Sequence, residues 1–230
     1  MLAETVSNDI VYDRVRLAAR ALGTLGDERL LQVADDYFAR EDVFEDPARR
    51  LSGYDRMRRS ALHDYVQHLP IDRQVELARA WHARGGFFEM IAGKIFGAQA
   101  TPDDRTRIEA FIEEQGTSDT GWDVINELIA LGRIGDPRSA PLLVQVAEQA
   151  DYSLARRRAL QALSGMQQLP IAAAALHEAL WDCEDEAAGD ACKFLRSLEP
   201  VARARVQELA ELALADQALR LQAVDRLARG

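Results

Sequence analysis

Val15, Ala18, Ala19 and Leu22 recur at three- and four-residue intervals, the spacing that lines one face of an α-helix. Gly26 supplies a residue that tolerates the left-handed conformation closing a helix, and Asp27 can cap the next one. Leu30, Leu31, Ala34 and Phe38 then give that second helix its own apolar face. The same order returns at Leu128-Ile129-Ala130-Leu131-Gly132-Arg133-Ile134-Gly135-Asp136-Pro137. Here Pro137 occupies the first helical position, where its missing N–H costs nothing. Leu163, Leu195 and Leu227 repeat the place of Leu131, each step being 32 residues. Tyr65 and Phe96 are the equivalents in the less regular first half, giving steps of 43, 31 and 35 residues from Leu22 to Leu131. The long step holds an insertion at Asp42-Val43-Phe44-Glu45-Asp46-Pro47, expected to be an irregular loop, and Gly85-Gly86 and Gly116-Thr117-Ser118 mark breaks between units.

This pattern predicts first helices near 9–23, 54–67, 87–98, 120–133, 152–165, 185–197 and 217–229. Second helices follow near 27–40, 71–83, 103–115, 138–150, 171–183 and 201–215. One such pair cannot bury its own apolar face, whereas stacked pairs share one long core. The expected architecture is all-α: an α-solenoid of about seven helical pairs, the last one partial, forming a single domain over residues 1–230. An Arg-rich outer face in Asp225-Arg226-Leu227-Ala228-Arg229-Gly230 is expected to cap the stack.

The Val15-Arg16…Ala19…Leu22-Gly23…Gly26-Asp27 block and the Leu131-Gly132-Arg133-Ile134-Gly135-Asp136-Pro137 block resemble the HEAT-repeat superfamily, in particular its bacterial, phycobilin-lyase-like branch. Asp151…Ala155-Arg156…Ala159…Leu163 and Asp185…Ala188…Cys192…Leu195 echo the same motif. The resemblance implies a right-handed superhelix with the second helices on its concave side. It implies no single activity, because that solenoid hosts scaffolds, chaperone-like lyases and glycosylases alike.

Composition narrows the picture. Aromatic residues make up 7% of the 230-residue chain and 48% is hydrophobic, a mixture suited to close helix packing and poor for sheets. Met1–Asn8 lacks the basic start and apolar run of a secretory signal, and no apolar run approaches the roughly 20 residues that cross a bilayer. The chain is therefore expected in the cytoplasm, away from membranes. A net charge of −10 is the opposite of the basic footprint that phosphate contacts demand, which argues against a nucleic-acid partner.

Candidate chemistry is sparse. His177-Glu178-Ala179-Leu180-Trp181 begins like a zinc-protease helix, but Trp181 stands where the second histidine must be. His63 and His68 do not share a helical face, and His82 follows Trp81 with no ligand cluster around it. No metal or cofactor is expected. Cys183 and Cys192 flank one turn; buried, inert thiols are the favoured reading over a redox pair. Trp122-Asp123 and Trp181-Asp182 bring to mind the aromatic-plus-carboxylate pockets of HEAT-like alkylpurine glycosylases. Neighbours in sequence are, however, expected on different faces of a helix.

The most distinctive charge feature is Glu178, Asp182, Glu184, Asp185, Glu186 and Asp190, a stretch without Lys or Arg from 177 to 192. Beside half-polar Trp181, the residues Glu178, Trp181, Asp182, Glu184, Asp185 and Glu186 form the candidate partner-binding edge. Glu178 and Asp182 are both expected to face solvent. The function this favours is a protein-interaction scaffold whose partner is a protein or peptide region of basic character. The alternative is an enzyme on the same fold, bilin-lyase-like or alkylpurine-glycosylase-like, which calls for a deep pocket with converging polar groups; no catalytic residue is assigned.

Overall fold

Glycine and proline mark several helix ends in the computed structural model: Gly26 and Gly135 follow the last residues of two helices, and Pro170 and Pro200 open two others. The structure describes residues 2–38, 53–84, 86–115, 124–212 and 215–229. Among the described residues every regular element is helical and there is no strand. The insertion at 42–47, the break at 116–118 and the Trp122-Asp123 pair lie outside them. The described chain clusters into two compact units, Met1–Ile95 and Phe96–Gly230.

In the first unit α1 (Leu2–Leu25), α2 (Arg29–Phe38), α3 (Gly53–Gln67) and α4 (Ile71–Trp81) are followed by α5 (Gly86–Gln99), whose residues to Ile95 belong here. Helix α1 begins at residue 2 instead of near 9, because no Gly or Pro in 2–8 interrupts it. Gly26 closes it at a φ of 67°, a backbone angle at which other residues are strained. Gly23, three residues earlier, serves close packing instead, since a Cβ there would lie 2.3 Å from the Tyr65 carbonyl oxygen. Helices α1 and α3 thus touch backbone to backbone. Fully buried Tyr65 donates its hydroxyl to the Asp27 carbonyl at 2.8 Å, tying α3 to the turn after α1. Trp81 packs edge-on against Phe88, ring centres 4.9 Å apart.

The second unit contains α6 (Arg105–Gln115), α7 (Ile125–Ile134), α8 (Ala140–Gln149), α9 (Ser153–Ser164), α10 (Pro170–Glu178), α11 (Asp185–Phe194), α12 (Pro200–Glu211) and α13 (Gln217–Arg229). Helices α7, α9, α11 and α13 pack side by side in chain order, and α8 packs on α10 in a second layer. This is the two-layer stacking of helical pairs expected from the 32-residue leucine spacing. Leu131 and Leu163 are fully buried and Leu195 is 4% exposed. Burying each contributes on the order of 1.5–3 kcal/mol. Tyr65 and Phe96, their equivalents earlier in the chain, are fully buried too. Around Leu160, Leu176, Leu180, Ala188, Cys192, Val206 and Leu209 runs one apolar core.

Two details depart from expectation. Leu227, the last residue of the series, is only half-buried. Arg226, expected on a polar outer cap, is 2% exposed. On α13 its position falls on the same face as Leu219 and Ala223, seven and three residues away, so helical periodicity carries it inward.

Candidate functional site

The acidic edge begins where α10 ends. Pro170 starts that helix at a position where no N–H is needed, and a single 3-10 turn, Ala179–Trp181, finishes it. Asp182 then turns extended, with φ −58° and ψ 142°. The chain leaves its helix between Trp181 and Asp182, so the two residues do not obey helical geometry. Both line one open groove of about 630 Å³, contrary to the expectation of separate faces. The other walls come from the end of α8 (Glu148, Gln149), the turn at Ala150 and Asp151, and Arg156 and Leu160 of α9.

Arg156 organises this groove. Its Nε and Nη2 donate to the two carboxylate oxygens of Asp182, both at 3.0 Å. Its Nη1 donates to the carbonyls of Ala150 and Asp151 at 3.0 and 3.2 Å. One guanidinium thereby pins the turn after α8 to the turn after α10. Both side chains of the pair are 12% exposed, and a planar fork suits such a paired contact better than an ammonium. Burial opposes ionisation of Asp182. The hydrogen bonds from Arg156 and from the Glu184 N–H prevail and hold the carboxyl below its ordinary range. The same pairing raises Arg156, against the effect of its own burial.

Asp182 is therefore not a solvent-facing docking group, and the expectation that it shares exposure with Glu178 holds for Glu178 alone. Three more acids of the stretch are engaged in a similar way. Asp190 is 5% exposed and accepts from Arg157 and Gln161, each at 3.0 Å. Glu186, though largely exposed, pairs with Arg157. Asp185 accepts the Asp216 N–H at 2.7 Å. An acidic run without basic residues in sequence is thus partly neutralised in space by Arg156 and Arg157, which α9 delivers from 26 to 33 residues away.

The groove itself keeps its charge. Glu148, Asp151 and Glu178 are exposed, and none has a side-chain partner among the described residues. They line the groove together with Trp181, which is 48% exposed. Glu184 is exposed nearby but is not part of the lining. Sequence reasoning found Glu178 and Trp181 and missed Glu148, Asp151 and Arg156. Their signal was present: Asp151 and Arg156 belong to the weaker repeat echo, and Glu148 sits in the last turn of the helix stacked beside α10.

The cysteines separate. Cys183 is exposed at the groove, whereas Cys192 is fully buried in the core. Burial pushes the Cys192 thiol up to about 11. Among the described residues, no group of three or more His, Cys, Asp or Glu side chains is placed to hold a metal ion, and no helix is long and apolar enough to cross a membrane.

Residues 128–149, which span most of α7, the turn at Gly135-Asp136-Pro137 and all of α8, match the PBS lyase HEAT-like repeat family. The chain thus carries a HEAT-type repeat, and that repeat's second helix, α8, forms one wall of the groove. No curated protein and no solved structure matches the chain.

Proposed function

We propose that the chain is a protein-interaction scaffold and that the groove between α8 and α10 receives a basic, extended segment of a partner protein. One observation carries this reading: Glu148, Asp151 and Glu178, three carboxylates without side-chain partners among the described residues, line one groove with a half-exposed Trp181, while Arg156, the cation of that lining, is already committed to Asp182. Lysine or arginine side chains fit such a lining by charge and can lie over the indole face. Carboxylates on a rim steer encounter more than they fix affinity. A half-exposed tryptophan in a concave wall supplies the kind of anchor on which binding energy concentrates. The repeat architecture suits this use, since stacked second helices present a continuous surface. The same reading puts the chain in the cytoplasm and treats it as a single domain over 1–230. The enzyme alternative rests on the fold alone.

A Lys/Arg-rich peptide and an acidic peptide of equal length serve as probes in kinetic binding measurements across a salt series. The basic peptide is expected to bind, with association slowing as salt rises. Reversing Glu148 and Glu178 to Arg together should slow association, and Trp181→Ala should speed dissociation. Preference for the acidic peptide, or an association rate untouched by the double reversal at low salt, refutes the groove as a basic-segment site.

A further inference from the structure

The first unit holds a second concavity, and its chemistry is the reverse of the groove's. Tyr12 and Arg16 of α1, Arg59, Ser60, His63 and Asp64 of α3, and Phe87, Met90 and Lys94 of α5 enclose about 360 Å³. In a chain of net charge −10 with only two lysines, three cations converge here against one carboxylate. We propose that this pocket binds a phosphate monoester carried on an apolar or aromatic body.

The carboxylate in the wall does not oppose an anion. Asp64 Oδ2 accepts from Arg16 Nε at 2.6 Å and from Arg20 Nε at 3.1 Å, and Oδ1 accepts from Arg16 Nη2 at 3.2 Å. Both oxygens are occupied and two guanidinium groups offset the charge. What Asp64 does is fix Arg16, leaving that residue's Nη1 unclaimed by the pair. Lys94 is exposed and has no hydrogen-bonding or acidic partner among the described residues. Its charge reaches the site: burial first, and Lys94 next, push the His63 imidazole below its ordinary range. The His63 Nε2 lies 3.2 Å from the Gln67 amide nitrogen, and the ring forms a wall of the pocket.

The hydroxyls add donors. Tyr12 donates to Ser60 Oγ at 2.6 Å, so the Ser60 hydrogen is free to point at a ligand oxygen. Two cations and one hydroxyl therefore face the space without using up their donors on each other. A doubly charged oxyanion with several acceptor oxygens matches this set better than a carboxylate with two. Phe87 and Met90 supply the apolar side, and Arg59 lies over the Phe87 ring, its carbon 5.1 Å from the centroid. The volume is at the lower end of small-molecule sites, fitting a head group with one ring and excluding a folded domain. This site is independent of the acidic groove, and its fate leaves that reading untouched.

The test is titration calorimetry on the full chain with inorganic phosphate, phenyl phosphate and benzoate. Saturable one-to-one binding of phenyl phosphate is expected, tighter than either inorganic phosphate or benzoate. Lys94→Glu should weaken it by about tenfold or more, while Lys193→Glu, the same change at the other lysine, should leave it unaltered. Lys94 and Lys193 are both exposed, so both variants should keep the parent circular dichroism spectrum. A phosphotyrosine peptide beside its unphosphorylated form tells the source: tighter binding than phenyl phosphate assigns the group to a protein, equal or weaker binding to a free metabolite, and either supports the site. Absence of saturable binding to all phosphate probes, or equal weakening by the two lysine variants, overturns it.

Discussion

Gly132→Ala sets two effects of similar size against each other. Alanine in a helix interior is favoured over glycine by about 1 kcal/mol, and on propensity alone the variant gains stability. The structure predicts the opposite sign. A Cβ on Gly132 would lie 2.9 Å from the Ala162 Cβ and 3.0 Å from its Cα, well inside the roughly 3.5–4.0 Å at which carbon atoms attract. The obstacle is backbone and a methyl on the facing helix, so α7 and α9 have to part. Overpacking of this kind costs about 1–3 kcal/mol, leaving a net loss of about 1 kcal/mol, or roughly 2–4 °C in melting temperature for a chain of this size. Gly189→Ala in α11 is the matched control. The nearest atom to its added Cβ is Gln222 Oε1 at 2.1 Å, the far end of a flexible side chain that can swing away. That variant should be neutral or gain up to about 1 kcal/mol. The assay is denaturant and thermal unfolding of both variants by far-ultraviolet circular dichroism. Ala162→Gly added to Gly132→Ala removes the nearer atom and leaves Cα in place, so the pair should show favourable coupling and partial rescue. If Gly132→Ala stabilises as much as Gly189→Ala, the contact between α7 and α9 does not exist as described.

Three further expectations follow from named contacts. Asp182→Ala strips Arg156 of its carboxylate at a site where both are 12% exposed, and should cost on the order of 1–3 kcal/mol; Glu178→Ala, at an exposed position without a partner among the described residues, should stay within about 0.5 kcal/mol, and equal losses in denaturant unfolding would contradict the clamp. Asp27 and Asp136 are held at about 2 by the Arg29 and Arg138 side chains and backbone N–H groups. Because these values lie below the ordinary carboxylate value near ~4, the stability they add is complete above that value and is lost as pH falls towards about 2; Asp136→Asn should flatten that acid limb, and an unchanged limb counts against it. In native protein one thiol, Cys183, should react with a disulfide reagent and Cys192 only on unfolding, since burial shields Cys192 and suppresses its thiolate; two rapidly reacting thiols would mean that the core around Cys192 opens.

The leucine series, the turn residues and the helix order were legible in the sequence because they are local: a 3.6-residue period and a glycine that accepts positive φ at Gly26 and Gly135 do not depend on distant residues. Leu22-Gly23, Phe96-Gly97 and Leu131-Gly132 also stand in plain view. Only the fold shows that the glycine after each of these positions is where the next first helix touches, Gly23 on Tyr65, Gly97 on Asn126 and Gly132 on Ala162. The charged sites divide in the same way. A run of acids from Glu178 to Asp190 can be read along the chain, but its net effect cannot, because charges act through distance in space and the neutralising Arg156 and Arg157 arrive from another helix. The acids without a side-chain partner among the described residues, Glu148 and Asp151 beside Glu178, come together only when α8 is laid against α10. In the first unit, likewise, nothing in sequence links Arg16, Ser60 and Lys94, which lie up to 78 residues apart. Periodicity fixed which face of each helix is buried; packing, by choosing which helices meet, decided which side chains share a site.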